Sequence, residues 1–275
     1  MMPVSILNTP QITNKAVDFL GARFFARCFI AVGLILRAAH YLGNRSFWLD
    51  ETVTAVLVVN RSWMEILRHI PLADNSAQQP YLFMLLEKIM VSWFGNHELV
   101  LRFWPFCAGL AGVFAFDALI RKICVPAART LALALFVFSS SLIYYAGELK
   151  PYSIDVLATI LLVLMAVPFP PQSLTWGRAA RMGAAGAVSL WISNPSVFIL
   201  AAIALCQGVP VVTARQYRLL KYWALTWLLW AASFGVLYWV SFSGMASDAV
   251  LFNMWKNSFM PQPLWSVASL RWLKE

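Results

Sequence analysis

PYLFMLLEKIMVSWF, residues 80–94, is the stretch whose reading decides how this chain is laid out. It is apolar enough to suggest a membrane span. It has only 15 residues, however, and carries Glu87 and Lys88 in its middle, where ionisable groups are costly. A helix crossing hydrocarbon needs about 20 residues. The stretch is therefore predicted to lie along the outer membrane surface, with Trp93 at headgroup level. That choice sets the direction of everything after it. Spans are predicted at about residues 24–42, 100–120, 130–147, 152–168, 182–194, 195–213 and 222–242. The cytoplasmic turns between them then contain Arg121, Lys122 and Arg129, next Arg178 and Arg181, and last Arg215, Arg218 and Lys221, with no acid among them. This is the Lys/Arg bias of cytoplasmic loops. Were residues 80–94 to cross instead, every later basic turn would face outward.

Composition points the same way. Of 275 residues, 61% are hydrophobic and only 12% charged, with a mean hydropathy of +0.70. A soluble domain carries about 25% charged residues, so a single water-bounded core is excluded and the class is a polytopic membrane protein. The net charge of +9 then reads as topogenic bias and attraction for membrane lipid, with no nucleic-acid partner. Cys28, Cys107, Cys124 and Cys206 are scattered, without metal-ligand spacing or a disulfide framework. The first 20 residues lack the pattern of a cleaved signal peptide, so the first apolar run is expected to be a retained anchor.

The predicted fold is thus an all-α polytopic membrane protein of about seven transmembrane helices, N-terminus inside and C-terminus outside, with interfacial amphipathic helices in the first outer loop. Residues 1–23 are expected to form a polar cytoplasmic tail, residues 24–242 the membrane domain with its outer loop at 43–99, and residues 243–275 an extracytoplasmic segment. Near the outer end of the first span, Arg37 and His40 are expected to reach the headgroups. Short helices are expected at 50–60 and 62–70, the second with Ser62 as cap and Glu65 three residues on. Pro168, Pro170 and Pro171 mark a loop. Trp223, Trp227, Trp230 and Trp239 read mainly as lipid-facing or interfacial.

Adjacent acids in FWLDET, residues 47–52, are the first candidates for chemistry. Asp50 and Glu51 suit a helix N-terminus through its dipole. They also stand beside Trp48 in an otherwise apolar loop. A third acid, Glu148 in YYAGELKPY (144–152), is predicted at the same membrane level, with Lys150 two residues on and Tyr152 closing the turn. A local Glu148–Lys150 ion pair in a wet turn is the plainer alternative, and such pairs contribute little. Asp155 lies one turn into the next span, where a hydrogen bond to a neighbouring helix and a functional role are equally open. Arg102, at the mouth of the second span, either grips phosphate or reaches the headgroups. Gln79 opens the surface helix, and Asn194 with Pro195 forms a later outer turn. No Gly-rich phosphate loop, Cys/His metal spacing or Ser-His-Asp order is present.

The ordered set FWLDE, QQPYLFMLLEKIMVSWFGNHELVLRFWP, the basic turn at Arg121 and Lys122, and YYAGELKPY resembles the polyprenyl-phosphate-sugar-dependent glycosyltransferases of the GT-C superfamily over roughly residues 24–215. The protein O-mannosyltransferase and aminoarabinose-transferase type, with Rgt-like bacterial enzymes, is the nearest likeness. The resemblance implies a GT-C-like core in the bacterial inner membrane. Its site would face the periplasm, where a sugar moves with inversion from a polyprenyl-phosphate donor to a hydroxyl on a glycan, lipid or protein acceptor. It makes Asp50 the general base, Glu51 a shaping or assisting acid and Glu148 the group that orients acceptor or sugar. Arg102 and Lys150 would hold donor phosphate, and Gln79, Tyr152 and Asn194 would line the substrate pocket. No metal ligand is assigned. Paired acids leave room for a divalent ion, and the family includes members that need none.

Several motif positions depart from the family pattern. Gln78-Gln79-Pro80 stands for His-Pro-Pro, Gly147 for Gln, Lys150 for Arg, and Ser193-Asn194-Pro195 for a His-aromatic pair. Two other readings stay open: a non-catalytic lipid-carrier-binding subunit, degenerate or truncated, and a transporter. The second is disfavoured because the acids cluster on one face and no duplicated halves are visible.

Overall fold

The computed structural model describes residues 11–67, 79–167, 175–242 and 265–272, and among these every regular element is helical. In chain order they are α1 Gln11–Leu42, α2 Leu49–Asn60, α3 Trp63–Leu67, α4 Tyr81–Phe94, α5 Glu98–Leu101, α6 Phe103–Ile123 and α7 Pro126–Val137. There follow α8 Ser140–Tyr145, α9 Tyr152–Ala166, α10 Trp176–Ile192, α11 Ser196–Thr213, α12 Tyr217–Leu237 with a π-helical turn at Tyr238–Phe242, and α13 Val267–Trp272. Among the described residues, four stretches are long and apolar enough to cross a membrane: Phe24–Leu42, Phe103–Ile123, Ser196–Thr213 and Tyr217–Phe242. The chain is an integral membrane protein by that measure.

The remaining predicted spans are shorter. The segment expected at 130–147 is broken at Phe138 and Ser139 into α7 and α8, and the apolar helix Tyr152–Ala166 has 15 residues, about 22 Å at 1.5 Å per residue. α10 starts at Trp176 rather than 182, with Arg178 and Arg181 in its first turns. The first helix departs furthest from expectation, because it begins at Gln11 within the predicted polar tail. No proline interrupts residues 11–42, so the helix runs on from the apolar span into polar sequence. The loop at Pro168–Pro171, the last residues of the 62–70 helix and most of 243–275 lie outside the described residues.

Three apolar clusters hold the bundle. α1, α6 and α7 meet around Val113, Ile120, Leu133 and Val137. The later helices meet around Leu200, Ile203, Trp223 and Trp230, so Trp223 and Trp230 are core residues rather than lipid-facing ones. The indole N–H of Trp230 donates to the Met182 carbonyl at 3.1 Å, the usual arrangement for a buried tryptophan. Trp239, by contrast, is exposed. The third cluster joins α2, α3, α4, α6 and α9 through Ala55, Val58, Ile66, Phe83, Ala108 and Ile154, and the acids sit at its edge.

Arg37 corrects another expectation. It is buried, and its Nη1 donates to the carbonyls of Gly33 at 3.1 Å and Val137 at 3.2 Å. Breaking a helix leaves its last carbonyls without intrahelical partners. Arg37 satisfies one at the end of α7, so it turns inward rather than to the headgroups.

α4 occupies the bounds predicted for the surface helix, and Trp93 is exposed at its end. The burden of Glu87 and Lys88 is resolved unevenly. Lys88 Nζ donates to the carbonyls of Val58 at 2.9 Å and Val59 at 3.2 Å, in the last turn of α2. The cation thus closes a helix C-terminus, where it complements the dipole. Glu87 is buried with neither carboxyl oxygen hydrogen-bonded among the described residues, and burial pushes its pKa well above the ordinary carboxylate value. At the start of α3, Ser62 and Glu65 form the expected capping box. The Ser62 backbone N–H donates to Glu65 Oε2 at 2.7 Å, and the Glu65 N–H donates to Ser62 Oγ at 3.3 Å. Lys88→Met should cost about 1.5–3 kcal/mol, the contribution of hydrogen bonds from a charged donor. Hydrogen exchange of the amides in α2 would read it as faster opening of the last turn.

Candidate functional site

Three separated stretches meet at one end of the bundle, where α1 ends, α6 begins and the α8–α9 turn passes. Arg45 and the start of α2 come from the first, Arg102 from the second, and Gly147 to Tyr152 from the third. Glu51 is their common point. Trp48 precedes α2 in extended conformation, which places Glu51 at the third helical position. The Trp48 backbone N–H reaches its Oε2 at 3.4 Å, half of a capping box. The side chain of Glu51 is fully buried, and its oxygens are all occupied. Arg102 Nε donates to Oε1 at 2.8 Å and Nη2 to Oε2 at 2.9 Å, the two-pronged geometry that suits a guanidinium to a carboxylate. The Leu149 N–H donates to Oε1 at 2.8 Å, and Arg45 Nη1 lies 3.2 Å from Oε2. Burial pushes the Glu51 carboxyl up, but these hydrogen bonds and the charges of Arg102 and Arg45 outweigh it, so its pKa is below the ordinary value.

Arg102 is therefore placed differently from a phosphate ligand. It is buried, and its remaining terminal nitrogen, Nη1, donates to the Arg45 carbonyl at 2.7 Å while the Phe47 ring lies 4.7 Å from its guanidinium. The fork is spent on holding the first loop against α5 and α6. Arg45, which the sequence did not single out, is the more available guanidinium. Its side chain is 30% exposed, its buried Nε and Nη2 have no hydrogen-bond partner among the described residues, and it stacks 4.7 Å from the Tyr144 ring.

Glu148 and Asp50 complete the group. Glu148 is buried; its Oε1 accepts from the Trp48 indole N–H at 2.9 Å, and its Oε2 has no hydrogen-bond partner among the described residues. Burial pushes its pKa up, against the Trp48 hydrogen bond, and the Glu51 charge pushes the same way. Lys150 does not pair with Glu148 in a wet turn. Its Nζ lies 3.6 Å from Asp50 Oδ2, joining the two loops. The Asp50 side chain is 53% exposed and that of Lys150 only 9%. Asp50 is thus the accessible acid, and Glu51 and Glu148 are the enclosed ones. Asp50 and Glu51 also satisfy the plainer reading, acids in the first turn of a helix.

Close approach makes this geometry. A Cβ on Gly109 would stand 2.5 Å from the Ala146 Cβ, so glycine lets α6 contact the turn that carries Glu148. A Cβ on Gly147 would stand 2.5 Å from His40 Cδ2. His40 therefore packs inward on this turn, with Tyr144 5.6 Å away, rather than reaching the headgroups.

Tyr152 adjoins the cluster through Tyr145, with ring centroids 4.8 Å apart. Gln79 is half-buried just before Pro80 and α4. Asn194 is exposed in the α10–α11 turn and makes no hydrogen bond to the acid cluster; its buried neighbour Ser193 lies beside Asp155. Among the described residues no three His, Cys, Asp or Glu side chains converge as metal ligands. Glu51 could join such a set only by giving up Arg102.

No family model, no curated protein and no solved structure matches this chain.

The two enclosed acids act on stability in opposite directions. Glu51, depressed by its partners, contributes stability above its unfolded pKa near 4.5 that is lost as pH falls through its folded value. Glu148, raised by burial, favours the folded state while protonated, and that contribution is lost as pH rises from about 4.5 through its folded value. Trp48→Phe removes the one hydrogen bond that Glu148 accepts, so its titration should move further upward. Isotope-edited infrared spectroscopy of the Glu148 carboxyl band, followed against pH, would read the shift.

Proposed function

We propose that this protein is an integral-membrane glycosyltransferase. It moves a sugar from a polyprenyl-phosphate donor to a hydroxyl acceptor at the outer face of a bacterial inner membrane, through a seven-pass, GT-C-like core. The observation that carries the proposal is the meeting of Asp50, Glu51 and Glu148 with Arg45, Arg102 and Lys150 at one end of a membrane bundle. A cluster of this kind beside apolar surface suits an amphiphilic donor whose phosphate must be neutralised as it leaves.

In this reading Asp50 accepts the acceptor's hydroxyl proton as the oxygen attacks the anomeric carbon, and the bond from that carbon to the donor phosphate breaks. General-base assistance requires an accessible carboxylate near the reacting centre, which suits Asp50 better than its two enclosed neighbours. Lys150 faces the phosphate charge as it develops. Glu51 and Arg102 hold the loops in register, and Glu148, oriented by Trp48, faces sugar or acceptor. Tyr152 supplies an aromatic wall.

Purified protein supplied with polyprenyl-phosphate sugars should transfer sugar to hydroxyl acceptors, and Asp50→Asn should abolish transfer at unchanged abundance. A lipid-carrier-binding subunit would retain the lipid with no turnover from any donor. Topology has its own test. A single cysteine at Ser141, exposed on α8, should label from outside intact cells, whereas one at Ala180, exposed near the start of α10, should label only after permeabilisation. The reverse pattern would place the acids on the cytoplasmic face and remove the proposed donor.

A further inference from the structure

Lys150 and Asp50 present an arrangement that the assignment of roles leaves unused. The lysine side chain is more than nine-tenths buried, yet its ammonium makes no hydrogen bond among the described residues; its partner is Asp50 Oδ2 at 3.6 Å. Asp50, half exposed, likewise has Lys150 as the partner of its carboxylate. The other two acids of the cluster are held elsewhere, Glu51 by Arg102 and Arg45 and Glu148 by Trp48. Lys150, loosely engaged, therefore stands beside the most accessible acid of the cluster, and an incoming anion meets its competitor already in place.

We infer that Lys150 is an exchangeable counter-ion. A phosphate entering the site takes the ammonium from Asp50, and this exchange frees the carboxylate to accept a proton. The inference rests on the transferase reading for its purpose and on the ion pair for its physics. With the site empty, the Asp50 carboxylate has Lys150 beside it as counter-ion, and an acceptor hydroxyl must share the carboxylate with that cation. With phosphate bound, three ammonium N–H donors turn to phosphate oxygens, and Asp50 is left paired to water. No covalent bond changes in this step; one ion pair replaces another. Donor binding must then precede deprotonation of the acceptor, so a hydroxyl entering first meets an occupied base.

The exchange can be measured without turnover. The full chain in lipid nanodiscs is treated with a water-soluble carbodiimide and an amine nucleophile, and modification of Asp50 is followed by mass spectrometry. The additions are inorganic phosphate in one arm and a polyprenyl phosphate in the other, at fixed pH and with ionic strength matched by chloride, because salt alone screens exposed pairs. Modification of Asp50 should rise about five-fold, the population change that corresponds to about 1 kcal/mol for releasing such a pair. Glu65, exposed on α3 and engaged with Ser62 rather than with Lys150, should react equally throughout. Lys150→Met should give high modification with or without phosphate, and Lys150→Arg should restore the response. Response in both arms supports a general phosphate site, and response to polyprenyl phosphate alone supports one reached through the lipid. Asp50 modification that stays flat in both arms of the unaltered protein overturns the inference. Exchange without any sugar transfer would leave it standing and sink the transferase reading. Asp50-dependent transfer without exchange would do the opposite.

Discussion

Arg102→Met should unfold the protein at a markedly lower temperature, by an amount equivalent to about 3–5 kcal/mol, the usual cost of leaving one member of a buried ion pair alone. Glu51 is fully buried and has both oxygens engaged by the guanidinium. Without Arg102 it keeps the Leu149 backbone N–H at 2.8 Å, the long Trp48 N–H contact at 3.4 Å and a half-buried Arg45, too little to replace the hydration it lost. Protonation of Glu51 is the alternative to unfolding, so the variant's deficit should shrink as pH is lowered. The double variant Glu51→Leu, Arg102→Met should recover much of the loss, since apolar groups of similar size often replace a buried pair at little cost. Melting of the three variants in detergent, read as a double-mutant cycle, gives the coupling. If Arg102→Met melted with the parent, the pair would not hold the three stretches together.

Asp50→Asn should have the opposite profile. Its carboxylate is half exposed and its pair with Lys150 is long, so its contribution to stability is about 1 kcal/mol or less. Melting should therefore barely change. Transfer should fall by about 10²–10⁴-fold, the usual contribution of a positioned general base. On the proposed function the adjacent acids should separate two roles: loss of Asp50 should remove transfer alone, and loss of Glu51 should remove folding and transfer together. Full transfer by Asp50→Asn would place the base elsewhere and leave Asp50 as a helix-terminal acid.

Much of this was legible in the sequence because period, length and charge are local properties. Residues 80–94 are too short and too charged to span, and α4 has the predicted bounds. Ser62 and Glu65 announce the capping box that starts α3. Three motifs at 50, 102 and 148 pointed to one site, because each stands at the end of an apolar run and the runs read as alternating in direction. What a motif could not carry is which charge faces which. Arg102 and Lys150 looked alike as phosphate ligands, since both are cations near acids at the same level. Packing gave Arg102 to Glu51 and left Lys150 with Asp50.

The amino-acid sequence by itself determined that this is a helical membrane protein and where its acids and cations lie along the chain, because hydropathy and helix signals are read over a few turns. Only the tertiary structure decided which of those groups are enclosed and which remain open. Burial and pairing depend on residues about 50 to 100 positions apart, as Arg102 and Leu149 on Glu51 and Trp48 on Glu148 make plain. Gly147 illustrates the limit. Sequence showed only a small residue between Ala146 and Glu148, and the fold showed that His40 from the first helix fills the space.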